Sequence, residues 1–415
     1  MERAGIEPED INRLEDLGRF PICTKEDFVS RPVHERMGED PKKCIRHSSS
    51  GTTGDPMVCY RSKKYYDYLA GYNLQGHYIS LRKVLEIGPF DRIMRIVYGM
   101  PWEKDGKSKT NPRRKEAIGI AARIIGPIHD RFAKTIHFRS SADEIIPEII
   151  EFRPKLIVAN PSYLRILADT VSRTGISEIR PKALLVSGEV LDESTRKYLE
   201  TIFHCKTFQR YSVSEVGKIA FECERRALHV SDSLIVEILN DGKPSPPGEP
   251  GKIVVTVLLN DAMPLLRYDV GDVGIWSDSE CQCGRSSRVL RSMEGRQEDH
   301  LTIESDRFLS PLAVLSALHQ VADLPRWQVV QESTESCKLR IFNQEQNQRS
   351  AVAELVQNLR ILLGEKVKVE ISSETHEQLR AKFRPVISHL NMRDNRWTMT
   401  NEDSSRRGLS VSSRI

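Results

Sequence analysis

The segment "HSSSGTTGDP", His47 to Pro56, sets hydroxyl side chains among glycines. Glycine lets backbone N–H groups approach a ligand closely, and Ser and Thr add donors without bulk. Ser49, Ser50, Gly51, Thr52, Thr53 and Gly54 could therefore wrap a polyphosphate. The usual P-loop spacing and its lysine are missing, so the residues by themselves also fit a plain polar turn. A second group is Cys223-x5-His229 with Cys281-x-Cys283. Three thiols and one imidazole, expected on turns between strands, form a closed tetrahedral set suited to structural zinc. A CxC pair is a weaker signal than CxxC, and reduced cysteines beside a surface histidine are the alternative.

Positioning these residues requires a scaffold, and the chain offers an α/β one. Residues 64–83 read as helical and "RIMRIVYG" (92–99) as a buried strand. "ADEIIPEIIEF" (142–152), "YLRILADTVSRTG" (163–175, with Gly175 just past its end) and "DESTRKYLETIF" (192–203, with Asp192 as N-cap) read as helices. "KLIVAN" (155–160) and "ALLVSGE" (183–189) read as strands between them. This alternation predicts βαβ units and a parallel sheet. From about 205 to 290 the chain turns strand-rich, and from about 297 a smaller α+β pattern begins. The expected division is a large unit over 1–296, a small one over 297–390, and a polar, non-periodic tail over 391–415. No internal repeat is visible.

The chain has 415 residues, 39% hydrophobic and 29% charged, with net charge +4. That is enough for two or three domains with real cores. So small a net charge, without a basic stripe and interleaved aromatics, argues against nucleic acid. No apolar run approaches the ~18 residues of a membrane span. The opening "MERAGIEPEDINRLEDLG" is too acidic and polar for a signal peptide. A cytoplasmic location follows as the expectation, and eight cysteines are too sparse for a disulfide scaffold.

Together the motifs resemble the adenylate-forming superfamily, the acyl-CoA synthetases and their relatives. After "SSSGTTGDP" come "VSGE" (186–189), "YSVSE" (211–215), "RYDVGD" (267–272), "EGRQED" (294–299) and the lysine of "AKFRPVIS" (381–388), in that superfamily's order. "AGIEPEDINRLEDLGRFPICTKEDF", "LHVSDSLIVEI", "CQCGR" and "WQVVQ" are similar to the phenylacetate–CoA ligase-like branch and its capsule-biosynthesis relatives. The resemblance runs to about residue 390. Members usually carry a few more helical residues ahead, which implies a chain short at its N-terminus.

What the resemblance implies is a large adenylation domain with a smaller mobile C-terminal α+β lid. An acid and ATP would give an acyl-adenylate and pyrophosphate, and a thiol, usually coenzyme A, would then take the acyl group. Glu215 resembles the Mg2+-side glutamate, with Ser214 and the loop hydroxyls on phosphate. Asp272 resembles the acid that accepts from the ribose hydroxyls, since a carboxylate can accept from both. Ser187, Gly188 and Glu189 sit where the family passes adenine, with Tyr211 stacked nearby and Arg296 at the hinge. Lys382 resembles the lysine that domain closure brings to the reacting oxygens. The acid pocket is expected near Pro161–Tyr163, Ser187 and Tyr211, with an aryl acid by analogy. Some relatives look to hold zinc at Cys223, His229, Cys281 and Cys283. Two departures stand out: Asp55, where a lysine is common, and Asp269, where an arginine is. They leave open an inactive nucleotide-binding scaffold, and the capsule-type resemblance leaves open an acyl transferase acting on an amine, a carrier protein or a saccharide. The expected partners are a small carboxylic acid and coenzyme A, and a homodimer is left open.

Overall fold

The computed structural model describes residues 10–48, 57–62, 64–65, 83–88, 90–98, 132–138, 142–304, 307–321, 324, 326–342, 348–374 and 383–390. The loop residues Ser49, Ser50, Gly51, Thr52, Thr53 and Gly54 lie outside them, as do Asp55, Lys382, most of the helix expected over 64–83, and 391–415.

The first elements are α1 (Lys25–Val29) and an antiparallel ribbon of β1 (Ile45–Ser48) and β2 (Val58–Arg61). Strands and helices then alternate: β3 (Ile93–Tyr98), β4 (Ala133–Phe138), α2 (Ala142–Phe152), β5 (Leu156–Ala159), α3 (Pro161–Thr174), β6 (Ala183–Ser187), α4 (Glu193–Phe203) and β7 (Lys206–Val213). Strands β3 to β7 pair in parallel, as helical crossovers require.

Local chemistry sets the helix ends. The Asp192 side chain accepts from the Thr195 N–H at 2.9 Å and starts α4. Pro161 occupies the first turn of α3, and Gly175, at φ 69°, closes it in a left-handed conformation. Leu164, Leu167 and Val171 of α3, with Leu199 and Phe203 of α4, cover Met94, Ile157, Leu184 and Val186 of the sheet. Burying each such side chain is worth about 1.5–3 kcal/mol.

Strand β7 is the pivot: it is parallel to β6 and antiparallel to β8 (Gly217–Glu222). Then come β9 (Leu228–Val230), β10 (Leu234–Asn240), β11 (Lys243–Pro244), β12 (Pro250–Val257), β13 (Tyr268–Trp276) and β14 (Val289–Arg296). The strand-rich stretch continues the parallel sheet into one sheet of 12 strands, ordered β11-β10-β12-β13-β14-β9-β8-β7-β6-β5-β3-β4. A buried ion pair ties α4 across the pivot. Arg196 reaches Glu222 at the end of β8 at 3.1 Å, and the Gln209 N–H of β7 donates to the same carboxylate at 2.7 Å.

A short turn over Gln297–Asp299 leads to the remaining elements. These are a ribbon of β15 (Leu301–Glu304) and β16 (Arg307–Leu309), then α5 (Pro311–Leu318), β17 (Arg326–Ser333), β18 (Ser336–Phe342), α6 (Arg349–Leu363), β19 (Lys368–Glu374) and β20 (Val386–Ser388). A sheet ordered β19-β18-β17-β20 packs Val329, Leu339 and Ile341 against Leu315, Leu355 and Leu359 of the two helices. The hydrophobic cores of the 12-stranded sheet are distinct from this one.

Candidate active site

The carboxyl ends of β5, β6 and β7 open into a cleft of about 1610 Å3, whose far wall comes from β13, β14 and the C-terminal α+β elements. In open α/β sheets ligands bind at the strands' carboxyl ends, near a reversal of strand order. Ser187, Gly188, Glu189, Tyr211, Ser214, Glu215, Asp272 and Arg296 all line this one cleft.

After β6 the chain turns at Gly188, at φ 89°, where a Cβ would come within 2.9 Å of the Asn160 side chain. Only glycine fits both demands. Ser187 Oγ and Ser212 Oγ lie 3.0 Å apart, joining the ends of β6 and β7. The Glu189 carboxylate accepts from the Ser162 N–H at 3.1 Å, where its charge suits the start of α3. Pro161 and Ser162 line the cleft, whereas Tyr163 is buried in the core behind it.

Across the cleft the Tyr211 hydroxyl donates to Asp272 Oδ2 at 2.7 Å, and Arg296 Nε pairs with Oδ1 at 3.1 Å. Both Tyr211 and Asp272 are 8% exposed, with the Tyr211 ring packed in the core of the antiparallel strands. Burial, reinforced by Asp272, pushes the Tyr211 phenol well above its usual range, so it stays a donor. The Asp272 charge, against burial, holds the Arg296 guanidinium more firmly protonated than usual. A carboxylate has about four acceptor positions. Among the described residues, Tyr211 and Arg296 occupy two of them. Asp269 accepts from the Gly271 N–H at 2.8 Å and so shapes the turn before Asp272. Arg267, in the same motif, is structural: it is buried, paired with Glu237 at 3.0 Å, and ties the Phe20 carbonyl to the sheet.

Ser214 follows β7, and its carbonyl accepts from Arg61 of β2 at 3.1 Å. Glu215 comes next and faces the same space. Burial and then the Glu215 charge push the Cys59 thiol up to about 12. Several cleft contacts have no signal in the sequence. His319, just after α5, sets Nδ1 2.8 Å from Asp192 Oδ2 and 3.0 Å from Thr195 Oγ1, joining the C-terminal elements to the start of α4. Arg384 grips Asp299, with Nε 3.2 Å from Oδ2, and so ties the segment after position 382 to the turn after Arg296. These partners are 127 and 85 residues apart, and no local pattern links them. His47 also lines the cleft, while Trp327 packs in the C-terminal core against His319; Trp102 and His129 lie outside the described residues.

Away from the cleft, Cys223, His229, Cys281 and Cys283 bring their ligand atoms within 4.8 Å of one another. Cys223 Sγ lies 3.6 Å from Cys281 Sγ, and Cys283 Sγ lies 3.2 Å from His229 Nε2. Tetrahedral zinc with sulfur ligands calls for about 3.8 Å between sulfurs, so the donor set fits. The cysteine pair sits on the turn between β13 and β14. His229, expected on a turn, lies instead within β9, paired opposite Val289. Its Nδ1 is 3.1 Å from the Ser287 carbonyl, which directs Nε2 toward the thiols. Burial holds the imidazole below its usual range, in the neutral form a metal needs.

No protein-family model matches the chain. It is 28% identical over 344 residues to a phenylacetate–coenzyme A ligase of Thermus thermophilus, covering 80% of this chain and 72% of that one. It is 27% identical over 321 residues to the phenylacetate–coenzyme A ligase of Escherichia coli, covering 73% and 67%. Among solved structures, 2-hydroxyisobutyryl-CoA ligase with its acyl-AMP superposes with a TM-score of 0.72 at 20% identity, over 93% of this chain and 84% of that one. The chain thus shares the fold of this acyl-AMP-forming ligase and is similar in sequence to phenylacetate–coenzyme A ligases.

Proposed function

We propose that this protein is an AMP-forming acid–thiol ligase. A carboxylate oxygen of the acid attacks the α-phosphorus of ATP, the bond to the β-phosphate bridging oxygen breaks, and pyrophosphate leaves. The sulfur of coenzyme A then attacks the acyl carbon, the carbon–oxygen bond to AMP breaks, and the thiol proton passes to solvent. The observation that carries this reading is the placement of Asp272, Tyr211 and Arg296 in one cleft with Gly188, Ser214 and Glu215. The named relatives, ligases that join an acid to coenzyme A, agree with it.

In this reading Asp272 accepts from the two ribose hydroxyls with the acceptor positions that Tyr211 and Arg296 leave. Gly188 and Ser187 border the adenine, with Glu189 fixing their turn. Ser214 donates to phosphate. Glu215 would hold Mg2+, which supplies charge neutralisation on the phosphates when bound. Lys382 and the hydroxyl loop keep the roles their resemblance implies, stabilising negative charge on the phosphates and reacting oxygens. Residues 1–296 form the adenylation domain and 297–390 the lid. Alternation between the half-reactions requires the His319–Asp192 contact to open. Zinc, held by Cys223, His229, Cys281 and Cys283, supplies folding energy rather than chemistry, because all four coordination positions are filled.

The test is incubation with ATP, Mg2+ and a panel of carboxylic acids, with pyrophosphate and AMP measured with and without coenzyme A. Acid-dependent pyrophosphate, stimulated by coenzyme A, is expected. No pyrophosphate with any acid, together with no stabilisation by ATP–Mg2+, overturns the reading.

A further inference from the structure

Two units with separate hydrophobic cores meet beside the cleft, and both line it. The chain crosses between them at the turn Gln297–Asp299. Helix α5 bridges them from this crossing. At its start the Ser310 hydroxyl donates to Glu294 at 2.6 Å, and a Cβ on Gly295 would come within 2.8 Å of Pro311. Eight residues of helix, about 12 Å of rise, then carry the chain to His319. There Nδ1 lies 2.8 Å from Asp192 Oδ2 and 3.0 Å from Thr195 Oγ1. Val190, two residues before Asp192, packs on the C-terminal core. Units that keep their own cores and meet through polar contacts move relative to one another by default. The His319 ring joins them at the end of α5 away from the crossing.

The contact depends on the protonation state of that ring. Asp192 as a carboxylate can only accept, so Nδ1 carries a hydrogen and the neutral ring donates it. Among the described residues, Nε2 has no hydrogen-bond partner, and the ring lies against Trp327 at 5.2 Å between centroids. A second proton would leave a buried N–H unsatisfied and a charge out of water. The charged groups facing the ring are Asp192 and, on α3, Arg165 and Asp169. Leu315 of α5 and Trp327 of β17 adjoin it from the C-terminal side. Burial draws the imidazole below its usual range, against the pull of Asp192. Burial pushes the Asp192 carboxyl up, but His319 and Thr195 outweigh it and hold the carboxyl below its usual range, so the acceptor stays charged. A solvated histidine takes a proton near pH ~6.5. The docked ring resists that proton and the freed ring takes it. Docking is therefore strongest above about pH 6.5 and weakens as pH falls toward the lowered value of the docked ring.

We propose that His319, Asp192 and Thr195 form an acid-released latch: with His319 neutral the C-terminal unit is docked on the start of α4, and protonation of His319 frees it to swing away and widen the cleft. The latch goes beyond the ligase reaction proposed above, and its test needs no turnover.

The experiment is hydrogen exchange of the full chain without ligand, from pH 8 to pH 5.5, corrected for the intrinsic dependence of exchange on pH. Exchange reads openings even when the open pose is rare. In the parent, protection of segments 190–196 and 315–321 should be flat above about pH 6.5 and fall below it, by up to about tenfold per pH unit for one proton. His319→Asn keeps a donor near the Nδ1 position but does not titrate, and its protection should stay flat throughout. Asp192→Asn keeps a good helix cap and removes the charged acceptor, and its protection should fall several-fold already at pH 8. Protection across β12 and β13 separates opening from global unfolding. Equal protection at pH 8 and pH 5.5 in the parent overturns the latch. So does the same acid loss in His319→Asn, an acid loss matched in β12 and β13, or unchanged protection in Asp192→Asn. If no acid yields pyrophosphate, the ligase reading falls, and the exchange result still decides the latch.

Discussion

The Tyr211 hydroxyl gives the sharpest test of how the cleft would hold a nucleotide. It donates to Asp272 at 2.7 Å with both residues 8% exposed, and Arg296 takes the other carboxylate oxygen at 3.1 Å. Tyr211→Phe removes one hydrogen bond to a buried charge and leaves the ring in place. Such a bond is worth about 1.5–3 kcal/mol. Unfolding stability in urea should fall by about that amount, because the ring still fills its space in the core. Asp272 keeps Arg296 but loses the contact that orients its second oxygen. KM for ATP should therefore rise about tenfold, with kcat changing less, since the ribose is bound alike in ground and transition states. Asp272→Ala should raise KM for ATP further, by removing every ribose acceptor. Pyrophosphate release against ATP concentration reads both variants. A folded Tyr211→Phe protein with unchanged KM for ATP would refute the assignment of Asp272 to the ribose.

Purified protein should contain one zinc per chain by metal analysis, and Cys281→Ser should lose the metal and melt several degrees lower (a loss of about 2 kcal/mol or more). A metal-free protein of undiminished stability would contradict this. His300 is 3% exposed, and burial draws its imidazole down to about 4. The unfolded chain binds that proton near pH 6.5, so this contribution to stability is complete above 6.5 and is lost as pH falls toward 4. The loss reaches about 2 kcal/mol at pH 5. His300→Asn should flatten the acid limb of the stability curve, and an identical limb would refute the argument. Gly188→Ala meets both a φ of 89° and the Asn160 side chain at 2.9 Å. It should lower kcat/KM about tenfold or more, as strain of about 1–2 kcal/mol implies, and unchanged turnover would remove Gly188 from the site.

Local patterns made much of this legible. The apolar spacing of α3 and α4, the Asp192 cap and the Gly175 stop were all written in adjacent residues, and they appear at the ends of those helices. The alternation of β5, α3, β6, α4 and β7 implied a parallel sheet for the same reason. Periodicity reports that a strand has a buried face but not which strand it joins. The continuation of the sheet from β7 into β8 therefore had to come from the structure. The four zinc-type ligands were recognisable from residue type, although His229 belongs to a strand and its Ser287 partner had no signal. Tyr211–Asp272 spans 61 residues and His319–Asp192 spans 127, distances over which only the fold brings groups together. Lys382 and the hydroxyl loop were read from motif order, and they lie outside the described residues.

The central claim is that this cleft makes an acyl-adenylate. The most direct measurement is mass spectrometry of the protein-bound product after a single turnover with ATP, Mg2+ and acid, with coenzyme A withheld. A species of acid plus AMP less one water is expected, which disappears on adding coenzyme A as AMP and the thioester form. ATP bound intact with every acid, or ADP as the product, would contradict it.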